Sequence, residues 1–299
     1  MNIDISELLE PISDSLPCGD DFSFSNEFHE IKKAKTQDDL LLDQGDWVAE
    51  RKQADWDFVS NKTSVLLKEN TKDIRLLTWL LEAWSHLYGF DGMAKGLTLS
   101  HTMLNQYWQE IHPVIEDDDL DQRIGLLQGL INQLPMLLKK VSLTNTAPYY
   151  NLLDYDNFLY HENVRRKQTE DYDSQSGPSE LEQFDQAIFN TSKTFQYSNY
   201  QDFSSVLTEW DVLKQTLDHL MGLDSPSFGA IDSAFETIHS TLRKIYKAEA
   251  FGTGLRQSKN RLLLLQAHLW KIKCLYKLFQ ISLLFSLKHK HTWRIVSKQ

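Results

Sequence analysis

The chain has 299 residues, 41% hydrophobic and 24% charged, enough for one large or two ordinary folded domains and not the makeup of a disordered segment. Seven prolines and twelve glycines interrupt it, few for that length, which favours long helices over many short strands. Net charge is −11, but residues 252–299 hold ten Lys/Arg and no Asp or Glu, leaving 21 basic against 42 acidic groups ahead of them; a body so acidic repels nucleic acid.

The first stretch, "MNIDISELLEPISDSLPCGDD", has neither a basic n-region nor an apolar run, so no export signal is read in it and a cytoplasmic location is expected. Cys18 and Cys274 are too far apart for a zinc motif and too few for a disulfide framework. From about residue 55 to 143 the apolar spacing is helical. Asp55 is read as the N-cap of a helix that puts Trp56, Val59, Val65 and Leu66 near one face. "TKDIRLLTWLLEAWSHLYG" follows, with Thr71 as cap, Ile74, Leu77, Leu80, Leu81 and Trp84 as stripe, and Gly89 as stop. A third helix should run from Asp91 to His112 and end at Pro113, and a fourth, Leu120 to Val141, should kink or split at Pro135.

Residues 144–179 change character and read as a variable linker, its second half mobile. Helical spacing resumes over 180–251 in "ELEQFDQAIFNTSKTF", "YQDFSSVLTEWDVLKQTLDHLMG" and "SFGAIDSAFETIHSTLRKIYKAEAF", with Ser225 as cap ahead of Pro226. The basic segment 252–299 is atypical. Its longest uncharged run, Leu278 to Leu287, is too short to span a bilayer. Three readings stand for it: a basic amphipathic helix on a membrane or an acidic partner, a last helix packed on the preceding block, or a lost reading frame. The fold class expected is all-α, a bundle of antiparallel helices and helical hairpins.

Chemistry is hard to find along this chain. "LNQYWQEIHPVIEDDDLDQR" fails as a calcium loop, since counting from Asp117 the required glycine and glutamate are Gln122 and Gln128. His101 and His112 are three helical turns apart, too far to share a metal. Tyr107 and Trp108 read as core anchors and Glu116 to Asp121 as a solvated loop. Cys18, with His29 as a candidate base, is the one nucleophile considered; the alternative is a small buried residue in a Pro-Gly turn, with Asp20 and Asp21 raising its pKa. "GFDGMAKGL" lacks the lysine-serine pair of a phosphate loop, so Gly89, Gly92 and Gly96 read as a tight turn between helices. No enzyme, no cofactor and no metal are expected.

Four ordered motifs carry a family resemblance. "LPCGDDFSFSNEF" (16–28), "DWDFV" (55–59), "TKDIRLLTWLLEAWSHLYGFDGMAKGL" (71–97) and "YWQEIHP" (107–113), followed by Arg123, resemble the ImpA N-terminal domain, which begins the TssA proteins of bacterial type VI secretion systems. The likeness covers residues 1–143, the first part of the domain, and 180–251 look like its continuation. It implies an all-helical, non-enzymatic assembly protein acting in the cytoplasm at the membrane-anchored apparatus. Baseplate, tube, spike and sheath proteins are the partners it implies, with self-association as well, and membrane contact only through the basic tail; a membrane-surface adaptor acting through that tail is the alternative. The motif residues Pro17, Cys18, Gly19, Asp20, Asp55, Trp56, Gly89, Gly92, Gly96, Trp108, His112, Pro113 and Arg123 then read as structural or partner-binding. Lys72, Asp73 and Arg75 read as an ion-pair cluster or an exposed partner site.

Overall fold

A computed structural model describes residues 4–37, 52–117, 119–168 and 177–248. Residues through Tyr246 form one compact unit; the second, Lys247–Gln299, lies outside the described residues except for its first two. The three readings of the basic tail therefore fall outside the described residues, as does the 169–176 part of the expected linker.

All regular elements among the described residues are helical: α1 Ser6–Leu9, α2 Asn26–Ala34, α3 Trp56–Glu69, α4 Ile74–Tyr107, α5 Asp121–Lys140, α6 Leu152–Gln168, α7 Glu180–Asn190, α8 Lys193–Met221 and α9 Gly229–Tyr246. The all-α expectation holds. None of these helices is long and apolar enough to cross a membrane.

The centre of the core is α4, which packs against α3, α5 and α8. It is two limbs rather than one rod, because Gly89 takes φ 61° and ψ −137°, a left-handed conformation open to glycine at little cost. A Cβ on Gly92 would meet the Trp84 carbonyl oxygen at 2.1 Å, and one on Gly96 would meet Leu81 Cγ at 2.9 Å. Both close pairs straddle Gly89, so the limbs fold back on each other as a hairpin. Ile74, Leu77, Leu80, Leu81 and Trp84 are all buried, as their spacing requires. Asp55 caps α3 by accepting the Phe58 N–H at 2.9 Å, and Ser179 closes a capping box with Glu182 at α7.

Several boundaries differ from the sequence reading. The cap of α4 is Asp73, not Thr71; its carboxylate accepts the Arg75 N–H at 2.7 Å. The second limb stops at Tyr107, well before Pro113: the Glu110 N–H turns back three residues to the Tyr107 carbonyl at 2.9 Å, and the His112 N–H pairs with the Lys72 carbonyl at 3.0 Å instead of resuming the ladder. Pro135 does not split α5. Leu130, Ile131, Leu134, Leu137 and Leu138 form one buried stripe through it, and that burial outweighs the missing N–H. Val65 is 47% exposed, off the buried face of α3. A break at Thr191, with Ser192 capping α8, divides "NTSKTF" between two elements. Ser225 does not cap α9, which starts at Gly229; its hydroxyl donates to Asp218 at 2.8 Å.

The largest difference lies in the expected linker, which contains α6. Asn151 starts that helix by accepting from the Leu153 and Asp154 N–H groups. Tyr150, Tyr155 and Phe158 then gather their rings around Phe184 of α7. Those aromatic positions are what an irregular polar stretch would not bury.

Candidate functional site

Three segments far apart in sequence meet at one end of α4: the loop 17–23 between α1 and α2, residues 71–75 at the start of α4, and 108–113 after it. The sequence dictates much of this junction locally. Gly19 has φ +65°, and a Cβ there would lie 2.0 Å from the Asn70 carbonyl oxygen, so only glycine lets the loop approach α3's end. The loop then bonds as short bridges: Lys72 N–H to Cys18 O at 2.8 Å, His112 N–H to Lys72 O at 3.0 Å and Ile74 N–H to His112 O at 3.0 Å. His112 adds a side-chain bond from Nε2 to Gly19 O at 2.9 Å. That contact fixes Nε2 as the protonated nitrogen, because a carbonyl can only accept.

Two cations are buried in the junction, and among the described residues neither forms an ion pair with a carboxylate; Glu10 acts on Lys72 only weakly beside the effect of burial. Lys72, 0% exposed, donates from Nζ to the carbonyls of Leu8 at 2.8 Å and Leu67 at 2.5 Å. Burial pulls its pKa down to about 8. Arg123, 1% exposed, reaches back from α5 and donates Nε to Pro113 O at 2.7 Å and its two terminal nitrogens to Trp108 O and Ile111 O. Its guanidinium also lies 4.8 Å from the centre of the Trp108 ring. Burial lowers its pKa to about 10. The planar fork of arginine matches a set of converging carbonyls that a lysine cannot span.

The expected ion-pair cluster is therefore divided. Asp73 and Arg75 do pair, Arg75 Nε donating to the Asp73 carboxylate at 2.9 Å, and Arg75 extends to Ser23 Oγ at 2.6 Å and to Asp21 at 3.6 Å. Burial alone would lower the Arg75 pKa, but Asp73 outweighs it and the net direction is upward. Lys72 takes no part. An exposed partner-binding role is not open to Lys72 or Asp73, since both are wholly buried.

Cys18 is buried and free. Its pKa is pushed up to about 11, first by burial and then by Glu110; Asp20 and Asp21, expected to raise it, are not the cause. A thiol so held is a poor nucleophile at neutral pH. His29 is exposed on α2, and no contact joins it to Cys18 among the described residues. Pro17 is half-buried and Asp20 exposed on the same loop, while Asp55 and Trp56 lie apart at the start of α3, where the Trp56 ring stacks on His86 at 4.2 Å. Gly89, Gly92 and Gly96 are likewise outside the junction, at the other end of the first limb of α4. Tyr107 is half-buried and its hydroxyl donates to Leu9 O at 2.7 Å. The carbonyl partners of Leu8, Leu9 and Leu67 have no signature in the sequence, because every residue has a carbonyl.

A family described as ImpA, N-terminal, type VI secretion system, matches residues 9–132. Type VI secretion system component TssA1 of Pseudomonas aeruginosa is 35% identical over 139 residues, 45% of this chain and 39% of that protein. The chain thus matches well under half the length of that curated relative. The solved N-terminal domain, including the conserved ImpA_N region, of the TssA component from Burkholderia cenocepacia superposes with a TM-score of 0.71 at 30% identity, over 83% of this chain and 96% of that one.

Proposed function

From the premise that the chain belongs to the ImpA N-terminal family and is a TssA-like component of a type VI secretion system, we propose that it is a non-enzymatic docking module of that apparatus. It acts in the cytoplasm at the baseplate and tail, where it helps recruit or coordinate polymerisation of the tube and sheath. Its partners are baseplate, tube, spike and sheath proteins, with self-association as a further contact.

The observation that carries this reading is the likeness to the TssA N-terminal domain across most of the chain. The chemistry of the junction agrees with it. Lys72 and Arg123 are occupied by backbone carbonyls, Arg75 by Asp73, and the Cys18 thiol is held protonated. Such groups fix loops in place; they do not present a nucleophile or a general base to a substrate. Capture of tail and baseplate proteins from a secreting cell by the full chain, together with loss of secretion on deletion, is the expected result. A chain that captures none of them, and whose deletion leaves secretion intact, would refute the proposal.

A further inference from the structure

The outer side of the junction has a different chemistry from its buried side. Segments 10–31 and 109–121 together carry twelve Asp/Glu and no Lys/Arg. The His112 to Gly19 bond ties one segment to the other. The nearby cations Lys72 and Arg123 are drawn inward to carbonyls; of these acids, Asp21 has Arg75 at 3.6 Å and Glu30 has Lys62 at 3.6 Å.

Large apolar side chains stand out of these same two acidic segments. Phe24 is 101% exposed, Leu16 55% and Val114 48%. Leu16 is three residues from Gly19, Val114 is two beyond His112, and Phe24 adjoins Ser23, which Arg75 holds at 2.6 Å. By chain reach the three positions lie within on the order of 20 Å of one another, a span that a short peptide segment covers. The Leu16 carbonyl accepts from the Gly19 N–H at 3.0 Å, and Ser23 and Pro113, which adjoin Phe24 and Val114, are held by Arg75 and Arg123, which limits the ordering left to do on binding. The Phe24 ring is left wholly in water by this chain, so burying it against a partner would remove its full apolar surface from solvent. The dense negative charge repels phosphate-bearing membranes and nucleic acids and attracts cationic polypeptide.

We propose that the face formed by the 16–24 and 113–117 loops, with Phe24 as its anchor, docks a basic polypeptide segment that carries apolar side chains. This deepens the docking reading above and rests on it. The probe is a labelled short amphipathic peptide of Leu and Lys, with a Leu/Glu peptide of the same pattern as control, titrated by fluorescence anisotropy into the full chain. The Lys peptide binds, the Glu peptide does not, and added salt weakens the binding. Phe24→Ala weakens it at least about tenfold, the loss of a hot-spot anchor, with its melting temperature unchanged. Leu223→Ala, which removes an equally exposed side chain elsewhere (104%), leaves it unaltered. Absence of binding, or equal effects of the two substitutions, overturns the proposal, since equal effects mean attraction to the acidic chain as a whole. Capture of type VI secretion components is measured in parallel with the unsubstituted chain and with Phe24→Ala. Equal capture by both refutes this surface and leaves the docking reading standing; capture by neither refutes the reading itself.

Discussion

Replacing Arg123 with methionine removes three hydrogen bonds at once and keeps much of the side chain's volume. Each bond from a charged donor contributes about 1.5–3 kcal/mol, so three represent roughly 5–9 kcal/mol of gross interaction. The net is smaller, because the buried cation carries a desolvation cost, seen in its pKa of about 10, which the substitution also removes. Against that, the carbonyls of Trp108, Ile111 and Pro113 would be left unpaired in or beside the core. The expected loss is about 3–5 kcal/mol, at the upper end of single substitutions. Urea unfolding followed by tryptophan fluorescence measures it, with Trp108 as a probe 4.8 Å from the guanidinium. Arg123→Lys should recover little of the loss, since one ammonium cannot serve three diverging acceptors. A midpoint for Arg123→Met within about 1 kcal/mol of the original protein would refute the argument that this fork holds the 108–113 turn in place.

Lys72 makes stability depend on pH in a defined direction. An unfolded lysine titrates near 10.4, whereas burial sets the folded group at about 8, so between these values the unfolded chain holds the extra proton and stability rises with pH. A neutral amine still has two N–H groups for the Leu8 and Leu67 carbonyls. Lys72→Met should lose this rise between about pH 8 and 10, and identical pH profiles of the two proteins would refute it. Gly19→Ala should cost at least about 2 kcal/mol from left-handed strain and the clash with Asn70, while Gly125→Ala, on an exposed helical face with nothing within 4 Å, should gain about 0.5–1 kcal/mol in the same denaturation assay. In a Cys274→Ser background, Cys18 should react with a disulfide reagent at neutral pH only after denaturant is added, given a pKa of about 11; rapid labelling of the folded protein would contradict its burial.

What the sequence determined by itself was local. The period of its apolar residues set the helices of α3, α4 and α5; Asp55 and Gly89 marked a start and a break that depend only on a side chain's reach or on a permitted φ. Four motifs in order pointed to the family before any contact was known. Tertiary structure decided what depends on partners distant in the chain. Thr71 stands ahead of the helix as a plausible cap until the fold ties Lys72 to Cys18 and His112, which leaves Asp73 to accept the Arg75 N–H, and Pro113 marks the helix end only if Lys72 does not claim the His112 N–H first. Residues 152–168 read as linker because the aromatic ring they pack on, Phe184, comes after a polar break. Lys72 and Asp73, neighbours in sequence, bond to different partners, the lysine to carbonyls of α1 and α3 and the carboxylate to Arg75. A backbone carbonyl is the same in every residue, so no sequence pattern marks which ones a buried cation will find; only the closing of the three loops at the end of α4 does that.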